Sequence, residues 1–243
     1  MTVNEKISIL DWDSDFFGYR IASCTYSKEN FEATFNELKE LQVKLTYVYA
    51  HPEKITASDL ASIKDHGGRL VSTNIDYKMS VEARSTAETR VEELKSIDDS
   101  LQEQLFRLAI SSGEFSRFKV DPRIGRTAFE QLYRTWIIKS LDKTIANHVL
   151  VEKGEDIIQG FVTLITKSAE SEAKIGLLAV NELYRGRGIA SNLINASINI
   201  CKKKLIKALH VSTQEENIPA CQFYEKMGFY PLKKEAIFHL WLE

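Results

Sequence analysis

The chain has 243 residues, 44% of them hydrophobic and 27% charged, with a formal net charge of -2. That length can bury a substantial core, in one large domain or two modest ones, and the near-neutral balance gives no electrostatic case for a nucleic-acid or anionic-membrane partner. No apolar run reaches the length of a membrane span, and MTVNEKISIL lacks the basic start and apolar core of a signal peptide. Three cysteines (Cys24, Cys201, Cys221) without metal-ligand spacing fit a reduced, cytoplasmic compartment.

Residues 1–93 read as a smaller α/β unit. Ile7 to Leu10 reads as a strand, Asp11 to Ser14 as a polar turn, and the stretch after Asp15 enters a second strand through Tyr26. Asn30 can cap a helix carrying Phe31, Phe35, Leu38 and Leu41, and Leu45 to Ala50 reads as a strand. A helix near Ser58 to Asp65 stops at Gly67-Gly68, before another strand from Arg69 to Tyr77. Asp11, Asp13 and Asp15 invite a metal reading, but the calcium-loop pattern fails. A solvated turn with Trp12 and Phe16 anchored in the core is expected instead, and no metal site is assigned. The polar stretch from residue 80 to 95 is expected to connect the two parts, with the boundary near Glu93.

Residues 94–243 continue with an amphipathic helix from Ser100 to Ile110, a loop holding Phe115, Arg117 and Phe118, and a helix from Thr127 to Ser140. Strands follow at His148 to Glu152 and Ile157 to Thr166, separated by a hairpin turn. Lys174 to Val180, nearly all apolar, suits a strand buried on both faces. It leads through Arg185-Gly186-Arg187-Gly188 into a helix bearing Ile189, Leu193, Ala196 and Ile200. Amide groups at a helix N-terminus lack internal partners, and the dipole there favours negative charge. Gly186 and Gly188 let backbone approach a ligand, and the two arginines add charge, so a pyrophosphate is the natural guest. Ala208 to Gln214 is the next strand. A short helix from Pro219 to Met227 places Ala220, Tyr224 and Met227 on one face, with Asn217 before its first turn. The last strand is expected from Ala236 to Leu242. The five histidines are scattered singly and suggest neither a zinc site nor a triad.

Arg185, Gly188 and Ala190 match the acyl-CoA signature Q/R-x-x-G-x-G/A of the GCN5-related N-acetyltransferase (GNAT) superfamily. The order Asn217, Pro219-Ala220, Tyr224, Gly228-Phe229 resembles its closing segment. SILDWDSDFFGYR, EFSRF, FEQLYRTWIIKSL, GFVTL and AKIGLLAV further resemble the two-domain bacterial acetyltransferases acting on the 4-amino group of TDP-fucosamine. The resemblance implies an α/β (α+β) GNAT fold: a mixed, mostly antiparallel twisted sheet with flanking helices, plus a smaller N-terminal α/β domain contributing to the acceptor cleft.

It also implies acetyl-CoA as co-substrate and direct transfer to an amino-sugar nucleotide in a ternary complex. Backbone N–H groups at Leu178, Ala179 and Val180 would hold the acetyl carbonyl, and the turn from Arg185 through Gly186, Arg187, Gly188, Ile189 and Ala190 to Ser191 the pyrophosphate. Asn217, Ala220 and Met227 would flank the pantetheine arm. Tyr224 would protonate the leaving thiolate, while Phe115, Arg117 and Phe118 would contact the acceptor. No residue stands out as general base, so water-mediated deprotonation is expected. Acceptors such as a protein N-terminus, an amino acid or an antibiotic stay open, as do a non-catalytic acyl-CoA-binding module and a homodimer.

Overall fold

The structure, a computed structural model, describes residues 7–85, 88–94 and 99–243. The first strand, β1 (Ser8–Ile9), leads into α1 (Asp11–Phe17), where a polar turn and the start of a strand were expected. The Leu10 carbonyl accepts from both the Ser14 N–H and its hydroxyl, and Trp12 stacks on Phe16 one turn later at 5.4 Å. These local contacts hold a helix that the acidic composition conceals. Trp12 is 37% exposed and so is not anchored in the core, whereas Phe16 and Phe17 pack inward. Asp13 accepts from the Tyr47 hydroxyl at 3.1 Å, and the described residues contain no acidic or histidine cluster able to hold a metal.

The next elements are β2 (Ile21–Thr25), α2 (Phe31–Glu40), β3 (Leu45–Ala50), α3 (Ala57–Asp65) and β4 (Gly68–Ser80). In α3, the Thr56 hydroxyl accepts from the Asp59 N–H while Asp59 accepts from the Thr56 N–H, a reciprocal cap that satisfies two otherwise orphaned donors. Along β4, Val71, Thr73, Ile75, Tyr77 and Met79 are buried, and Asn74, Asp76 and Lys78 alternate with them on the opposite, partly open face.

The second half contains β5 (Val91–Glu93), α4 (Asp99–Ser112), α5 (Arg117–Val120), α6 (Arg126–Leu141), β6 (His148–Lys153), β7 (Ile158–Lys167) and β8 (Glu172–Val180). It ends with α7 (Ile189–Lys203), β9 (Ala208–Gln214), α8 (Ile218–Lys226) and β10 (Tyr230–Trp241). The expected loop at Phe115 to Lys119 thus includes a single helical turn. The last strand begins six residues before Ala236, because its exposed first half is recruited by pairing with β4 rather than by burial.

Among the described residues, ten strands form one sheet, in the order β1-β2-β3-β10-β4-β9-β8-β7-β6-β5. Among these strands only the pairs β2–β3 and β8–β9 are parallel. The C-terminal strand lies between β3 and β4, and β4 pairs with β9 along seven residue pairs. The division expected near Glu93 therefore does not coincide with a break in the sheet. Leu105, Leu108 and Ile137 pack against Val151, Phe161 and Ala179 on the face covered by α4 and α6. On the opposite face Leu193, Ile194 and Ile198 of α7 pack with Tyr224 of α8 over Ile75, Ile175 and Val211.

Candidate active site

The parallel pair β8–β9 holds together for only four residue pairs, from Glu172↔Ala208 to Ile175↔Val211. Beyond Ile175 the two strands part. Leu178 and Val180 are consequently half-buried, and the strand expected to be buried on both faces instead lines an opening. A β-bulge accompanies the parting: Gly176 and Leu177 oppose Thr163 alone on β7. The Leu177 N–H donates to Thr163 Oγ1 at 2.8 Å, and a Cβ on Gly176 would lie 2.7 Å from that oxygen, so glycine is needed there.

The Leu177 and Asn181 N–H groups both point to β7. Strand alternation then directs those of Leu178 and Val180 away from β7, into the gap, and that of Ala179 back towards β7. Two of the three expected carbonyl donors thus face the opening. The opening continues into a cleft of about 1050 Å³ that reaches both faces of the sheet.

On one face the cleft meets the start of α7. Gly188 is the N-cap with φ of +82° and no side-chain cap, and Gly186 has φ of +76°. The first-turn amides of Ile189, Ala190 and Ser191 have no intrahelical acceptor and line the cleft, a fitting seat for phosphate oxygens. Arg185 also lines it, its Nε donating to the Val180 carbonyl at 3.3 Å. Arg187 does not; its guanidinium lies 5.1 Å from the Tyr184 ring and is exposed.

The same side is closed by α8. Asn217 Oδ1 accepts from the Ala220 N–H at 3.3 Å and so serves as the helix cap as well as a cleft residue. Tyr224 is buried among Tyr77, Phe223 and Phe229, with ring centroids 5.4–6.1 Å away. Burial raises its phenol pKa well above the ordinary value, and the neighbouring Cys221 thiol adds to this, so the hydroxyl keeps its proton. Met227 does not line the cleft: it caps the far end of α8 and packs on the core, and Phe223 takes the lining position. Burial also pushes the Cys201 thiol up to about 11, which removes it as a nucleophile.

On the other face Phe115, 41% exposed, stands at the rim. The Arg117 guanidinium lies 4.3 Å from the Tyr47 ring and 4.6 Å from the Phe118 ring, and Nη1 donates to the Tyr49 hydroxyl at 3.3 Å. It makes no ion pair with a carboxylate among the described residues, and its Nε is buried without a partner. Phe118 also lines the cleft, but it is only 5% exposed, packed against Phe17 and Trp136, and it supports Arg117. Asn74, Ser212, Gln214, Tyr133 and Trp136 complete this side. Sequence reading had not singled them out for the site, although polar alternation at Ser212 and Gln214 marks a strand face that a core does not cover.

Beneath this side, Asp121 Oδ2 accepts from His239 Nδ1 at 2.6 Å and from Trp241 Nε1 at 2.8 Å. Burial works to raise the Asp121 pKa, but the hydrogen bonds from His239, Trp241 and the Arg123 N–H outweigh it and hold the carboxyl below its usual range. Burial lowers the pKa of His239, which is fully enclosed, against the opposing pull of Asp121. This histidine is a packing residue that ties the α5 turn to β10, as its isolation in sequence suggested.

A mixed sheet opened between two parallel strands, with a glycine-led helix start at the gap, defines the GNAT fold. Residues 113–229, just under half of the chain, match the sequence profile of the acetyltransferase (GNAT) family. The spore coat polysaccharide biosynthesis protein SpsD of Bacillus subtilis is 25% identical over 139 residues, covering 57% of this chain and 47% of that protein. N-alpha-acetyltransferase 30 of Schizosaccharomyces pombe is 35% identical over 66 residues, covering 27% and 44%. The chain thus spans under half the length of the curated relatives it matches. A conserved Staphylococcus epidermidis protein of unknown function has a similar fold, with TM-score 0.67 and 12% identity over 92% of this chain and 85% of its own. A GCN5-related N-acetyltransferase from Sphaerobacter thermophilus gives 0.60 and 13%, over 96% and 75%.

Proposed function

We propose that the chain transfers the acetyl group of acetyl-CoA to the amine of a nucleotide-linked, TDP-type amino sugar, by direct attack in a ternary complex in the cytoplasm. The observation that carries this reading is a single cleft crossing the sheet, with free amides of α7 at one end and the carboxylate-free cation Arg117 at the other. The α7 amides and Arg185 hold the pyrophosphate, while Asn217, Ala220 and Phe223 flank the pantetheine arm. The Leu178 and Val180 N–H groups stabilise the developing oxyanion, and Tyr224 donates a proton to the departing sulfur. Arg117 pairs with an acceptor diphosphate through charge-assisted hydrogen bonds. The N-terminal segment contributes Asn74 to the cleft and Tyr49 as a partner of Arg117. The polysaccharide role in the name of SpsD supports a sugar acceptor.

The test is a screen of TDP- and UDP-linked amino sugars, free amino sugars and peptide N-termini with acetyl-CoA, read by thiol release. Preferential turnover of a TDP-linked amino sugar is expected. Preferential acetylation of a peptide would favour the second reading, supported by the match to N-alpha-acetyltransferase 30. Cofactor binding without turnover of any amine would indicate a non-catalytic module.

A further inference from the structure

We propose that Ser212 and Asp76 form the proton-accepting pair that activates the acceptor amine, a role that water alone was expected to fill. The inference rests on the acetyltransferase reading and adds the group which that reading lacks. Ser212 immediately follows Val211, the last β9 residue paired with β8, so it stands at the apex of the gap. Its neighbour across β4 is Asp76, directly in register, and the Ser212 hydroxyl donates to Asp76 Oδ1. Ser212 lines the main cleft together with Leu178, Val180 and Tyr224. Asp76 and Ser212 also line a second hollow of about 300 Å³ that opens on the same sheet face and gives a path for water.

Asp76 makes no ion pair among the described residues. The charged groups around it come from every neighbouring strand: Lys78 on β4, His210 on β9, Glu172 and Lys174 on β8, Lys167 on β7 and Lys233 on β10. Lys78 and His210 approach Glu172 at 4.0 and 3.4 Å, Lys167 pairs with Glu170 and Lys233 with Glu235. Most of the nearby positive charge is therefore directed to other carboxylates, and Asp76 keeps its second oxygen as an acceptor.

The chemistry balances without a further reactant. Ser212 Oγ takes one proton from the acceptor ammonium as its own hydroxyl proton passes to Asp76. The freed nitrogen lone pair attacks the thioester carbonyl; the C–N bond forms and the C–S bond breaks. Tyr224 protonates the sulfur and regains a proton from the nitrogen of the new amide, directly or through water. Asp76 returns its proton to solvent through the second hollow.

The test uses the full chain and the best acceptor of the amine screen, with Asp76→Asn, Ser212→Ala and the double variant. Each single variant should lower kcat by about 10²-fold or more, the range of general-base catalysis, with acetyl-CoA affinity by calorimetry unchanged. The double variant should be no worse than the poorer single one, because the pair acts as a unit. Asp76→Asn should also regain rate with rising pH, about tenfold per unit below the amine pKa, where wild type has levelled. Losses under about threefold in both single variants, additive losses, or an unchanged pH profile would overturn the proposal. If the screen selects a peptide or free amine, the acceptor reading fails while these variants, measured on that amine, still decide the role of Asp76. If wild type acetylates no amine at all, both readings fall.

Discussion

Replacing Gly188 by valine separates two consequences of one geometry. Gly188 sits at φ of +82°, and a Cβ there meets no protein atom within 4 Å. The folded-state penalty is therefore conformational rather than a clash. A non-glycine residue in the left-handed region costs about 1–2 kcal/mol, which for a chain of this size lowers Tm by roughly 2–8 °C. Binding should suffer more. The new side chain occupies the open space beside the Ile189, Ala190 and Ser191 amides, the seat proposed for the phosphate oxygens. Losing two charge-assisted hydrogen bonds, at about 1.5–3 kcal/mol each, weakens acetyl-CoA by at least about 10²-fold. Calorimetric titration with acetyl-CoA, alongside thermal unfolding, measures both effects. Gly188→Ala should show the same strain with a smaller steric block, and thus an intermediate affinity. An unchanged Kd in folded Gly188→Val would refute the placement of the pyrophosphate at α7.

Tyr224→Phe should leave acetyl-CoA affinity nearly unchanged and lower kcat by about 10²–10⁴-fold, read by steady-state thiol release. Arg117→Ala should raise KM for a TDP-amino sugar with little effect on that for acetyl-CoA, and should matter less for a free amino sugar, which has no diphosphate to lose. Gly176→Ala should destabilise the fold by about 1–3 kcal/mol in denaturant unfolding, since its Cβ would press on Thr163 Oγ1. His239 has a folded pKa below its unfolded value, so the stability it contributes is present above about pH 6.5 and lost as pH falls through the folded pKa. His66, raised by the Ser62 backbone bond with burial opposing, works in the other direction. The measure is accordingly the difference between wild type and His239→Gln: wild type should lose more stability on acidification below about pH 6.5.

The elements with strong periodicity were legible. The strand Leu45–Ala50 and the strand Ala208–Gln214 have the bounds that their sequence suggested, and α7 follows its apolar spacing. Elements built by context were not. Tyr230 to Lys234 carries a proline and two lysines and lay outside the strand expected from Ala236, yet pairing with β4 draws it into the sheet. The helix Asp11–Phe17 depends on Ser14 bonding back to Leu10, a contact with no apolar period to announce it. Within the site, the signature at Arg185 to Ala190 marked the start of α7 because glycine and arginine spacing is local chemistry. Met227 misled for a related reason: a thioether on the expected face fills either a core or a cleft, and only packing decides between them.

The acceptor side was the least legible because no single segment encodes it. Asn74 comes from β4, Ser212 and Gln214 from β9, and Arg117 from the turn that His239 on β10 fastens through Asp121. The insertion of β10 between β3 and β4 ties the Arg117 turn to β4, which itself contributes Asn74 to the cleft wall. The parting of β8 from β9 adds the remaining requirement. It frees the Leu178 and Val180 donors on one arm and presents Ser212, braced by Asp76, on the other. A break in hydrogen bonding between two parallel strands leaves unsatisfied backbone groups that normally cost stability. In the proposed ternary complex a ligand's carbonyl and amide groups would complete the ladder, with the thioester between the two arms and the nucleophile beside Ser212.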